Sequence, residues 1–357
     1  MIKLNVPYFD SNERQAVEDC LSSGMVSSGE KVEEFEEKVR RYCGAKYAVA
    51  VSSCTAGLYL VLNNKLRGYV DTLAIPAFTF PAANRICDHV NGNIWIADVD
   101  VNKNTYNMDI NALGNSIAVE RLNGIAPIHQ FGLPCDMDAI RRIVHENDIF
   151  VLEDAACALG SEYKGEKIGR RGTAVFSFHG RKIITTGEGG MVVTDDEDIY
   201  KAVLQGRQFG RNRYGDFVSS GLNFKMADIN AAIGLAQMEK IDKILENRRK
   251  VAQKYSIVLY GHGLTNIVKL PQITNCDGHN WQSYVVRLQG NNRDAVMMKM
   301  RAAGIEVQVG SYDNSNGKCK VSSELARTTL ALPIWSAPMP EETIEKVVEE
   351  LGRCLTI

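Results

Sequence analysis

Short apolar runs rich in β-branched residues alternate with segments of helical period along this chain, at 47–51, 73–75, 94–97, 125–128, 149–152, 175–178 and 191–193. Helical candidates lie between them at 55–66, 137–146 and 200–207. Strands separated by helices pair through crossovers rather than hairpins. The order therefore predicts an α/β fold with a mostly parallel central sheet covered by helices on both faces. Ahead of the first run, "EKVEEFEEKVRRYC" sets Val32, Phe35, Val39 and Tyr42 at helical spacing, which predicts an amphipathic surface helix. The pattern changes at about Met226, where "MADINAAIGLAQMEKIDKILENRRKVAQKY" runs on in good helix formers without a proline and reads as a connector. After it come "WQSYVVRL" (strand), "NRDAVMMKMRAAG" (helix), "IEVQVG" (strand) and "PEETIEKVVEELGRCL" (helix), the outline of a smaller α+β unit. A length of 357 residues suits one large domain plus a small one, expected at 1–240 and 241–357.

The bulk properties narrow the function. A formal net charge of −2 leaves no electrostatic footprint for nucleic acid or an anionic membrane, so a small molecule is the expected partner. No apolar run approaches the roughly 20 residues that span a bilayer, and the opening "MIKLNVPYFDSNERQAVEDC" has no signal core, so a cytoplasmic location is expected. The nine cysteines, Cys276 among them, are scattered and never spaced as Cys-x-x-Cys. This suits reduced thiols and argues against structural zinc, so no metal site is expected.

In an open parallel sheet, ligands bind beyond the carboxyl ends of the strands. The polar residues that end each apolar run are Glu153-Asp154, His129-Gln130, His179 leading to Lys182, and Phe78-Thr79-Phe80. A strand-end aspartate and a loop lysine match pyridoxal phosphate chemistry: the amine joins the cofactor aldehyde as a Schiff base, and the carboxylate pairs with the protonated pyridine nitrogen. Phe80 can stack on the ring, and "SSCTAG" at 52–57 offers helix-start N–H groups to a phosphate. Each signal has a plainer reading when taken singly. Asp154 would cap the following helix, Lys182 would be a solvated charge, and "TTGEGG" would be a glycine-rich turn. Phe80 and His129 would be core residues. It is their combination and order that point to a site, with the glycines after Lys182 expected to let the backbone pass close to a flat cofactor.

The sequence resembles the DegT/DnrJ/EryC1/StrS family, the sugar aminotransferases of the fold-type-I pyridoxal-phosphate superfamily. "VSSCTAGLYL", "IPAFTFPAAN", "PIHQFGLPCDMDAI", "VLEDAACALGS", "FSFHGRKIITTGEGGMVVTDD" and "GLNFKMADINAAIGLAQMEK" follow in the family's order. The resemblance implies that Lys182 carries the cofactor and Asp154 pairs with its pyridine nitrogen. It puts Phe80 on the ring, Thr55, Ala56 and Ser177 at the phosphate, and Cys157 where many members have Gln or His for the ring hydroxyl. Asn223 matches an asparagine that reaches the neighbouring subunit's cofactor, so a homodimer with interfacial sites is implied. The activity implied is transfer of an amino group from an amino acid, L-glutamate, to a nucleotide-linked keto-deoxysugar, at C4 in preference to C3. The product would be an amino sugar for surface polysaccharide such as O-antigen. His179 and His129 are substrate-contact candidates. Relatives with histidine in place of the lysine act as dehydratases, so the amine at 182 favours transamination. A dehydratase or synthase on the same scaffold and a non-catalytic cofactor- or sugar-binding sensor are the alternatives. A nicotinamide oxidoreductase lacks its Gly-x-Gly-x-x-Gly.

Overall fold

The computed structural model describes residues 1–355 apart from 67, 69, 91–92, 120, 273–277 and 291, so Cys276 lies outside the described residues. Its centre is a sheet of β1 (Tyr47–Val51), β2 (Val70–Pro76), β3 (Asn93–Val99), β4 (Gly124–Ile125), β5 (Phe150–Val151 and Glu153–Asp154), β6 (Thr173–Ser177) and β7 (Gly190–Thr194). The spatial order is β1-β7-β6-β5-β4-β2-β3. The ladder continues through β5, where Leu152 N–H donates to Ile125 O and Asp154 N–H to Pro127 O. Every neighbouring pair is parallel except those made by β7, which runs antiparallel to both β1 and β6. The expected mostly parallel α/β architecture is the observed one.

Alternation along β6 shows why its residues are apolar on both sides. Ala174 and Phe176 pack with Val32, Phe35 and Val39 of helix α1 (Glu30–Cys43) on one face. Val175 packs with Leu58, Val61 and Leu62 of helix α2 (Cys54–Lys65) on the other. A strand buried on both faces needs a continuous apolar run, and helices covering both faces supply the burial.

The long helical stretch after Met226 is two helices, α3 (Asp228–Met238) and α4 (Ile241–Gly261). Lys240 at the break pairs with Asp10 and Glu13, and the Gln237 amide donates to Tyr8 O and Glu13. Tertiary partners thus hold a break that propensity alone does not signal. Helix α4 crosses between two cores: Ile241 and Ile244 belong to the one behind the sheet, while Val251, Ala252, Tyr255, Val258 and Leu259 belong to a second. That second core packs α4 and helix Glu341–Leu355 against a four-stranded antiparallel sheet whose central pair is Tyr284–Leu288 and Thr329–Leu332. Among the described residues no helix is long and apolar enough to cross a membrane.

Candidate active site

The parallel strands β5 and β6 end side by side, with Val175 opposite Asp154, and beyond them opens a cavity of about 330 Å³. Asp154, Ser177, Lys182, Cys157, Phe80, Thr55 and His179 all line it. Residues far apart in sequence are brought together because each ends a strand or starts the segment that follows one.

The antiparallel pairing of β6 with β7 turns 178–189 into the loop of a hairpin, closed by Phe178 N–H donating to Gly189 O. Its two threonines fix its shape. Thr185 Oγ1 donates to Phe178 O and Thr186 Oγ1 to Glu188 O, while Asn230 Nδ2 donates to Thr186 O. Two of the glycines also serve packing. A Cβ on Gly190 would lie 2.5 Å from the Cys54 nitrogen, and one on Gly189 would meet Thr186 Oγ1 at 2.5 Å. Glycine at 190 therefore lets β7 lie against the start of α2.

Lys182 Nζ contacts Cys157 Sγ at 3.3 Å. Burial works against its ammonium form, but the Cys157 and Cys54 sulfurs and the Asp154 carboxylate outweigh burial and hold its pKa above the usual lysine range. Asp154 is 7% exposed, and burial raises its pKa against the opposing pull of the Ala156 N–H, which donates to Oδ1 at 3.0 Å, and of Lys182. At the start of α2, Ser53 accepts the Ala56 N–H at 3.1 Å, leaving Cys54 and Thr55 with first-turn N–H groups that no intrahelical acceptor can satisfy. Cys54 and Thr55 line the cavity and Ala56 does not. Phe80 presents an exposed ring at the cavity, edge-on to Tyr312.

Two further candidates lie elsewhere. His129 is fully buried. Its Nδ1 accepts the Cys135 N–H at 3.0 Å, which requires that nitrogen to be unprotonated, so the ring hydrogen sits on Nε2 and goes to Glu153 Oε2 at 3.0 Å. Both ring nitrogens are occupied, and His129 does not line the cavity. Asn223 is exposed, outside this chain's own cavity, and bridges to Gln208 through its backbone. Lys225 beside it is exposed as well. His179 lines the cavity, 3.7 Å from Glu188, and burial with nearby Arg181 and Lys182 lowers its pKa, so its imidazole is neutral at pH 7.

Sequence reasoning did not single out Arg181, Gln308 and Tyr312, which also line the cavity. Arg181 Nη1 donates to Gln308 Oε1. Tyr312–Asp313 pairs with Phe78–Thr79, a contact across more than half the chain that no local pattern announces.

An amine, a buried carboxylate, a flat ring and a helix start with unmet N–H groups around one cavity are the donor set pyridoxal phosphate requires, so the residues fit the cofactor. The model of the DegT/DnrJ/EryC1/StrS aminotransferase family matches residues 7–352. The chain belongs to that family. It is 36% identical over 312 residues to the GDP-perosamine synthase of Caulobacter vibrioides, spanning 85% of this chain and 83% of that protein. DesV of S. venezuelae shares the fold at a TM-score of 0.89 and 25% identity, covering 97% of this chain and 95% of its own. Spr1654 of Streptococcus pneumoniae, in its PMP-form, does so at 0.91 and 24% over 99% of both chains. This member of the DegT/DnrJ/EryC1/StrS family has the fold-type-I architecture and is a pyridoxal-phosphate-dependent aminotransferase.

Proposed function

We propose that this family member is a sugar aminotransferase that moves the amino group of L-glutamate to a nucleotide-linked keto-deoxysugar, at C4 rather than C3. It would work in the cytoplasm, and its amino sugar would enter a surface polysaccharide such as O-antigen. The observation that carries the reading is the Lys182 amine held in one cavity with Asp154 and Cys157. The similarity to a protein named for making GDP-perosamine, a nucleotide-linked amino sugar, supports the substrate class.

Bound pyridoxal phosphate supplies an aldehyde that joins amines and a ring that withdraws electrons. Lys182 would hold that group and, once displaced by the donor's amine, would be free to take the proton from the donor's Cα and later to return a proton to the sugar carbon that receives nitrogen. Asp154, kept from water, would hold the positive charge on the pyridine nitrogen. Thr55 and Ser177 would bind the phosphate, Phe80 would cover the ring, and Cys157 would stand at its hydroxyl, whereas Ala56, whose N–H goes to Ser53, supports the helix start. His179 faces the substrate. We further propose a homodimer in which Asn223 completes the neighbouring subunit's site. The exposed Phe209, Tyr214, Phe217 and Leu222 around it form the apolar patch such an interface needs. The domain division at 240/241 belongs to the same proposal, with the smaller unit carrying Gln308 and Tyr312 to the cavity.

The test begins with the purified protein, expected to be yellow, with borohydride bleaching the colour and leaving the cofactor on a Lys182 peptide. L-Glutamate alone should convert the cofactor to its amine form. A panel of nucleotide keto-sugars, with product mass and NMR, should then give an amino sugar aminated at C4. A dehydrated product without nitrogen would replace this reading with the dehydratase. Cofactor binding without turnover of glutamate would replace it with the sensor.

A further inference from the structure

Arg248 on α4 is fully buried, and among the described residues its hydrogen bonds all go to uncharged oxygens. Nη1 donates to Trp281 O at 3.0 Å and to Gln282 O at 2.8 Å. Nη2 donates to Asn5 Oδ1 at 2.8 Å and to Ser336 Oγ at 3.0 Å, and Nε also reaches Ser336 Oγ, at 3.3 Å. All five N–H donors of the guanidinium are consumed, by three chain segments that do not touch in sequence.

Each of those segments passes one hydrogen bond onward to the loop that carries Lys182. Asn5 Nδ2 donates to Gly180 O at 3.1 Å, Gln282 Nε2 to Arg181 O at 3.0 Å, and Ser336 Oγ to Ile183 O at 2.9 Å. Arg248 sets the direction of two of these bonds and holds the backbone carbonyl of the residue that makes the third. With Asn5 Oδ1 turned toward the guanidinium, its amide must point at Gly180. With the Ser336 lone pairs engaged by Arg248, its single hydrogen goes to Ile183. A buried cation without an acidic partner is unfavourable for stability, and burial pulls its pKa down to about 9. A plain core position would carry an apolar side chain here.

We propose that Arg248 is a positioning residue for Lys182, acting through Asn5, Gln282 and Ser336 on the carbonyls of Gly180, Arg181 and Ile183. This rests on Lys182 being the cofactor-bearing amine. A loop held at three carbonyls around one side chain presents that amine in one place, and proton transfer depends steeply on such placement. The rival account is that Arg248 only ties the two cores together, in which case its loss lowers stability and leaves each loaded site intact.

The experiment uses the holoenzyme of wild type, Arg248→Lys, Arg248→Met and Ser336→Ala. Ser336 does not line the cavity and its replacement keeps Arg248 in place. Three quantities are read: the melting temperature, the pH midpoint of the absorbance of the lysine-linked cofactor, and the rate of cofactor conversion at saturating L-glutamate. The proposal expects all three variants to shift the pH midpoint and to slow conversion by about 10- to 100-fold, with the glutamate concentration for half-saturation little changed. Arg248→Lys should retain more of the rate than Arg248→Met. Wild-type midpoint and rate in the folded variants, whatever their melting temperatures, overturn it. If the Arg248 variants do not fold, Ser336→Ala decides alone. Borohydride trapping on wild type is read first. A cofactor trapped at another residue overturns the assignment of Lys182 and this inference with it, whereas trapping at Lys182 with unchanged variants overturns only the inference.

Discussion

Asp154 is a carboxylate that the fold keeps nearly out of water, and its raised pKa means that burial disfavours its charge. For an acid whose folded pKa lies above the unfolded value, the favourable balance is present below about pH 4 and is lost as pH rises through the folded value. The cofactor-free protein therefore carries a deficit at neutral pH that Asp154→Asn removes. Thermal melts of the cofactor-free proteins should show the variant more stable than wild type at pH 7 and the two converging toward pH 4, while the loaded variant loses activity. A variant that melts below wild type at pH 7 would contradict the burial argument. At this scale the sequence was informative about residue type and place: a strand-end acid and a loop amine were legible from order alone. The direction of a side chain was less so. His129 also ends an apolar run, yet it turns inward to Glu153 and the Cys135 N–H, because neighbouring side chains at a strand end point to opposite sides and packing selects which one meets the cavity.

The start of α2 shows how an element is tuned by what lies against it. Ser53 caps the helix, and Gly190 on β7 clears the space in which its first residues sit. Replacing Ser53 with Ala should cost about 1 kcal/mol by urea denaturation and also weaken pyridoxal phosphate binding in a titration. A loss of stability with unchanged affinity would remove this helix start from the phosphate site. Gly190→Ala should cost more on both readouts, since its Cβ meets backbone atoms that cannot swing aside. The helix and its serine were legible as a strand followed by "SSCTAG". The role of the glycine was not, because it concerns a strand and a helix separated by over a hundred residues. The break between α3 and α4 was hidden for the same kind of reason, its ion pairs coming from Asp10 and Glu13.

For the whole molecule, the proposed interface makes a prediction that a self-contained subunit does not. Lys182→Ala and Asn223→Ala chains should each be inactive alone, yet refolding them together should restore about a quarter of the sites, because one site of each mixed dimer receives both native residues. Assay of the mixture against each parent measures this. Activity that stays at the level of the parents would place Asn223 in its own chain's site or in none.

Local signals carried the α/β order, the mostly parallel sheet and the family motif around Lys182, because strand and helix propensity and strand-end chemistry are written in short windows of sequence. Only the tertiary structure decided which of those groups share a cavity. It brought Arg181, Gln308 and Tyr312 to the same opening, turned His129 away, and gathered Asn5, Gln282 and Ser336 around Arg248. Those outcomes depend on register, packing and hydrogen-bond direction between separate segments, as far as 243 residues apart for Asn5 and Arg248, and local propensity does not carry them.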